Sequence, residues 1–212
     1  VRILMARPSF NDEDHQQEYE NFYGSPKNLP TLKADYFFFD WYLTIGASLS
    51  AGLYQVDGHA GIENDSGSYD IDEVGETTLT FVPLQYALIA QVTPLASLKW
   101  LVLDAWMGFE TAYWQEVRYG ADSDSAMILA SDSSDDELTN KGWTKSAVTG
   151  FSANINLNGV DSKSINSMRG SMNLGTIYLT LFTELVAKPT ESEGVSFDRS
   201  VAGFGFTFES VN

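Results

Sequence analysis

The 212-residue chain carries 29 Asp and Glu against 12 Lys and Arg, a formal charge of −17, with no cysteine. That sign excludes a nucleic-acid partner, since phosphate binding needs Lys and Arg to displace counterions, and the missing cysteines exclude disulfides, thiolate metal sites and a Cys nucleophile. A hydrophobic share of 43% with 13% aromatics is too rich for a disordered chain, no run of ~18 apolar residues offers a transmembrane helix, and the length suits a single domain over 1–212.

The opening Val1-Arg2-Ile3-Leu4-Met5 lacks the charged-then-apolar-then-small pattern of a signal peptide, so the chain reads as cytoplasmic or as a mature form. Residues 1–10 alternate weakly and are followed by a polar stretch, 11–30, holding Asp12, Glu13, Asp14, Glu18 and Glu20. A second weak strand covers 31–39. From Trp41 to Val56 apolar residues fill the odd positions (Leu43, Ile45, Ala47, Leu49, Leu53), with Gly46, Ser48, Ser50 and Gly52 between them. A period of two sustained over sixteen residues requires a strand. A second acidic stretch, 57–77, leads to strand 78–92, where Pro83 implies a bulge or a strand end. Strand 99–117 sets Leu101, Leu103, Ala105, Met107 and Phe109 against Asp104, Gly108, Glu110 and Glu116. A third acidic stretch, 118–141, precedes strand 143–157, whose polar face is Thr144, Ser146, Gly150, Ser152, Asn154 and Asn156. Strand 172–187 follows, then acidic stretch 188–198 and a last strand, 199–209, alternating Phe204, Phe206 and Phe208 with Gly203, Gly205 and Thr207. A helical reading of 81–109 is opposed by Pro83, Pro94 and the alternation after Leu101.

The four polar stretches hold 21 of the 29 acids and four of the twelve bases, so the whole excess lies in them and the remainder balances. They read as long loops, and they occupy every other connection. In an up-and-down antiparallel sheet alternate connections emerge at one end, which gathers all the excess acid there. The expected fold is therefore all-β: an eight-stranded antiparallel up-and-down barrel with four long acidic loops at one end. A soluble barrel points apolar residues inward, whereas a membrane barrel inverts that. Here the polar face is mainly Gly, Ser, Thr and Asn, which suits a narrow lumen filled by side chains. Aromatics sort to the strand ends. Phe37, Phe38, Phe39, Trp41, Tyr42, Trp100, Phe206 and Phe208 lie at the short-turn end, and Tyr54, Tyr113, Trp114 and Trp143 at the long-loop end. That is the pattern of interfacial girdles, and it opposes the competing reading, a soluble sandwich with an aromatic core.

With these features the chain resembles the small eight-stranded outer-membrane β-barrels, of which the outer-membrane protein A barrel domain and outer-membrane proteins W and X are examples. The resemblance covers most of 1–212. Its carriers are strand Trp41–Val56, the run from Val82-Pro83-Leu84 through Thr93-Pro94-Leu95 into Leu101–Trp114, and Gly203-Phe204-Gly205-Phe206-Thr207-Phe208. The last resembles the C-terminal signal read by the barrel-assembly machinery, although Glu209-Ser210-Val211-Asn212 follow where an aromatic normally ends the chain. The resemblance implies residence in a Gram-negative outer membrane, a signal peptide already removed, periplasmic short turns and exposed long loops. The implied partners are outer-membrane lipid, lipopolysaccharide and the barrel-assembly machinery, with the loops' extracellular partner open.

By parity Lys33, Asp35, Asp104, Glu110, Glu116, Glu184, Arg199 and Glu209 point into the lumen, and Arg2 joins them if the first strand keeps register. Buried charges need partners. Arg199 and Glu184 are expected to pair near the loop end, and Arg2 with Glu209 at the periplasmic end. Such a network serves either as a structural plug or as a selective path. Enzymes of this architecture include lipid A deacylases and palmitoyl transferases, and each needs a general base beside a nucleophile or an activated water. The chain offers only His15 and His59. Asp57 could orient His59, but Gly61 stands two residues on, where the deacylases carry Ser. No cofactor is expected. Asp70, Asp72, Glu73, Asp135, Asp136 and Glu137 are weak oxygen-ligand candidates for Ca²⁺ at the loops and match no EF-hand spacing. The leading expectation is a non-enzymatic outer-membrane barrel with a structural or surface-recognition role. The alternatives are a narrow channel or transporter for ions or small apolar solutes, and a lipid-modifying enzyme.

Overall fold

A computed structural model describes residues 1–10, 28–59, 62–63, 69–70, 76–93, 100–119, 137–158, 167, 174–189, 191–192 and 199–210. Its strands are β1 (Arg2–Phe10), β2 (Leu29–Phe39), β3 (Thr44–Gly52), β4 (Tyr54–His59), β5 (Ile62–Glu63), β6 (Tyr69–Asp70), β7 (Glu76–Val92), β8 (Leu101–Tyr119), β9 (Glu137–Asn156), β10 (Leu174–Val186), β11 (Glu191–Ser192) and β12 (Arg199–Ser210). The long strands pair antiparallel in chain order, β9 pairs β10, and β12 pairs both β10 and β1, so the sheet closes on itself. β3 and β4 form one stave: Ala51 opposite Leu84 and Tyr54 opposite Phe81 keep a single register along β7. The result is an eight-stave up-and-down barrel.

Pro83 breaks the sheet in a place other than the one expected. β7 runs unbroken past it against β8, with Pro83 opposite Ala112. The interruption falls on the other neighbour, between β3 and β4 at Leu53. A proline has no N–H to give, and the ladder lapses on the side where that N–H was needed.

The barrel is strongly staggered. From Tyr178 one hydrogen-bonding line runs through Thr207, Arg2, Lys33, Ser50, Gln85 and Glu110 to Ser146. Taken the other way, Tyr178 meets β9 at Asn156, ten residues from Ser146. Stagger of this size tilts the strands steeply, as closure of a narrow barrel requires. Up-and-down order also puts the strand ends flanking 11–27, 60–75, 120–136 and 190–198 at one end. Those four connections, with most of the acid, lie largely outside the described residues.

Burial follows the two-residue period on every stave. Lys33, Ser48, Ser50, Asp104, Glu110, Ser146, Ser152, Asn154 and Arg199 are buried inside, while Leu32, Leu49, Leu88, Met107, Phe109, Phe151, Leu181, Leu185 and Phe204 are exposed outside. Charges within and hydrocarbon without is the arrangement of a barrel surrounded by lipid. Phe38, Phe39, Trp41, Tyr42 and Trp100 are exposed at the short-turn end, and Trp143 at the other. Tyr54 and Trp114 leave the expected upper girdle. They are 4% and 1% exposed and point inward, because they share the parity of Ser50 and Glu110 on their own staves. Leu49→Arg, in mid-wall, is expected to destabilise the folded barrel by about 2–4 kcal/mol, read from denaturant midpoints in bilayers. An unchanged midpoint would show that this face meets water.

Candidate functional site: the filled lumen

The lumen is occupied by three stacked layers. The lowest centres on Arg2. Its Nε donates to Asp35 Oδ2 at 2.6 Å, and its Nη1 lies 2.7 Å from Asp104 Oδ2 and 3.1 Å from Ser152 Oγ. Asp104 also accepts from Ser152 Oγ at 3.0 Å, Asn154 Nδ2 at 2.6 Å and Gln91 Nε2 at 3.0 Å. Asn154 Oδ1 accepts from Thr180, whose hydroxyl meets that of Thr207 at 2.6 Å. Buried this deeply, the carboxylate would be costly without donors, and Arg2, Ser152, Asn154 and Gln91 supply them.

The middle layer is built around Trp106. The Lys33 ammonium sits 3.4 Å from the ring centroid, a cation–π contact inside the barrel. At the ring edge Nε1 donates to Glu184 Oε2 at 3.2 Å. Gln85 bridges two acids, its Nε2 donating to Glu184 Oε1 at 2.6 Å and Glu110 Oε2 at 2.9 Å, while its Oε1 accepts from Ser50 at 2.8 Å. Arg199 grips Glu110 with both Nη atoms, at 2.8 and 2.6 Å. Room for the indole comes from Gly150, since a Cβ there would fall on the Trp106 ring. The cavity left among Lys33, Ser50, Gln85, Trp106, Glu184 and Arg199 measures ≈ 20 Å³, about the room of one water.

The third layer, toward the loop end, is apolar: Leu29, Tyr54, Val56, Leu79, Phe81, Ala112 and Trp114 form one buried cluster. A lumen filled chiefly by Gly, Ser, Thr and Asn therefore describes only the lower part of the barrel.

Two expected pairs are replaced. Arg199 and Glu184 share the luminal face, but Val201 is the register partner of Glu184. The arginine reaches across to Glu110 instead, and Glu184 is held by Gln85 and Trp106. Arg2 pairs with Asp35 and Asp104, while Glu209 accepts from the Tyr178 hydroxyl at 3.1 Å. Glu116 and Glu209 are half-buried at opposite ends. Gln85, Gln91 and Trp106, which hold the network together, were missed. Parity is their only signal: Gln85 and Gln91 lie on the weakly alternating strand 78–92, and Trp106 shares the even positions of Asp104, Gly108 and Glu110. The side chains of His15 and His59 and all the Ca²⁺ candidates lie outside the described residues, though the backbones of Asp70 and Glu137 belong to β6 and β9. Among the described residues no His, Cys, Asp and Glu cluster could hold a metal ion, and no helix is long and apolar enough to cross a membrane.

A closed eight-stave sheet with an ionic interior and a hydrocarbon exterior defines a transmembrane β-barrel protein, the architecture that the resemblance implied. No protein-family model matches the chain, and no curated protein sequence matches it. Its fold is similar to solved structures of Ail, the attachment invasion locus protein of Yersinia pestis. One, in complex with the heparin analogue sucrose octasulfate, gives a TM-score of 0.46 at 7% identity over 98% of this chain and 93% of that one. Another gives 0.42 at 9% identity over the same shares. The backbone structure of that outer membrane protein in a phospholipid bilayer nanodisc gives 0.38 at 15% identity over 97% and 96%.

Proposed function

We propose that the protein resides in a bacterial outer membrane as a closed, non-conducting barrel, with a structural or surface-recognition role carried by its acidic connections. The filling of the lumen carries this reading. A conducting path needs continuous space for hydrated ions, whereas the cavity beside Trp106 has room for about one water and the apolar cluster lies above it. The apolar layer is the stronger barrier, because it contributes no ligand to replace an ion's hydration.

Planar-bilayer recording tests it. The purified chain is expected to insert and to give no defined single-channel steps. Reproducible steps that disappear in Glu110→Gln would replace this reading with the narrow channel. The membrane itself is tested on a gel, where the unboiled barrel is expected to migrate apart from the boiled chain. Full solubility without detergent would overturn residence in a membrane.

A further inference from the structure

The middle layer of the lumen holds two buried charges of opposite sign that do not pair directly. Lys33 is 3% exposed and Glu184 8%. Among the described residues the luminal ion pairs are Arg2 with Asp35 and Asp104, and Arg199 with Glu110. The Lys33 ammonium instead covers the Trp106 ring, which meets one side of a group with three N–H donors. Glu184 accepts one bond at each oxygen, from Gln85 and from Trp106, where a carboxylate has about four lone-pair sites. A third buried group is also incomplete. Both Nη atoms of Arg199 bind Glu110, while its Nε is buried and has no partner among the described residues.

Lys33, Glu184 and Arg199 all line the ≈ 20 Å³ cavity beside Trp106, together with Ser50. Ser50 gives its proton to Gln85 and keeps acceptor capacity. A buried water needs about one probe sphere of room and two to four polar partners, and this cavity meets both requirements. The ammonium and the guanidinium N–H are donors, and the carboxylate and the hydroxyl are acceptors. That set matches a water, which accepts two bonds and donates two. Glu184 disfavours an anion in the same place, and Lys33 and Arg199 disfavour a metal cation. We propose that the cavity binds one resident water, which accepts from Lys33 Nζ and Arg199 Nε and donates to Glu184 and Ser50. The water makes Lys33 and Glu184 a bridged ion pair, and it joins the Lys33–Trp106 contact to the Arg199–Glu110 pair. The site depends on the lumen alone and is the same whichever solvent meets the outer wall.

Crystals of the full chain, folded in detergent, test the site at a resolution that shows ordered water. The expected result is one density peak within hydrogen-bond distance of Lys33 Nζ, Arg199 Nε and Glu184. A cavity without density overturns the proposal, as does Lys33 Nζ lying directly on Glu184. A bromide soak separates water from an anion, and an anomalous peak in the cavity overturns the water. In solution, nuclear magnetic resonance reads magnetisation transfer from water to the Trp106 indole N–H, whose acceptor Glu184 lines the cavity. A long-lived water gives a transfer peak, and Lys33→Met, which removes one donor to that water, should weaken the peak several-fold. Heat-modifiable migration certifies the fold of the variant. A peak of unchanged strength in folded Lys33→Met overturns the bridge. If Lys33→Met does not fold, the crystals of the unaltered chain decide alone.

Discussion

Glu110→Ala is expected to cost about 3–5 kcal/mol of barrel stability, because it leaves a buried arginine uncompensated. Both residues are almost wholly buried, Glu110 at 2% exposure and Arg199 at 2%, and both Nη atoms of Arg199 are engaged with that one carboxylate. The other carboxylate lining the same cavity, Glu184, has its two oxygens engaged by Gln85 and Trp106. Gln85 presents its amide nitrogen to Glu110 and Glu184, a donor where Arg199 needs an acceptor. The control is the double change Glu110→Met with Arg199→Met, which removes both charges and keeps side-chain volume. It should recover most of the loss, since desolvation of an ion pair offsets much of its attraction. Denaturant midpoints in a common detergent or bilayer read both. A Glu110→Ala barrel with an unshifted midpoint would mean that water or another carboxylate already serves Arg199.

Trp106→Ala should be comparably costly, about 3–5 kcal/mol. Truncation opens a large cavity in the middle layer and also strips Lys33 of its ring contact and Glu184 of a donor. Gly150 makes the effect separable. Gly150→Ala alone should destabilise by roughly 1–3 kcal/mol, because the new methyl occupies the place of the indole. In the Trp106→Ala background the same methyl has room, so its cost should vanish or change sign. Additive costs in the double variant would show that Gly150 matters for the backbone and not for the tryptophan.

The staves were legible because lipid outside and packed side chains inside impose the strictest alternation a strand can carry. The alternation from Trp41 to Val56 runs over sixteen residues; the structure puts 41–43 in the turn before β3 and keeps the register from Thr44 through Leu53 to His59. Parity likewise placed Lys33, Asp104, Glu110, Glu184 and Arg199 on one face. It was misapplied at Tyr54 and Trp114, where position near a strand end outweighed the evenness that sends them inward. Aromatics serve in girdles and in cores alike, so residue type could not decide between the two.

Partner choice inside the lumen was a different matter. Arg199 and Glu184 occupy neighbouring staves, and proximity in the sheet suggested a pair. In a barrel this narrow the opposite wall is as near as the next stave for a side chain as long as arginine, and Glu110 lies there. Which acid faces which base depends on the ten-residue stagger, and stagger is a property of closure that no single strand records.

The number of staves, their inward and outward faces, and the confinement of the −17 charge to alternate connections were legible in the amino-acid sequence. Each of these follows from local period and composition. The ionic pairings and the apolar layer that caps them emerge only when the barrel closes. These depend on how far each stave slides past its neighbour, and that displacement is set by packing the whole lumen at once.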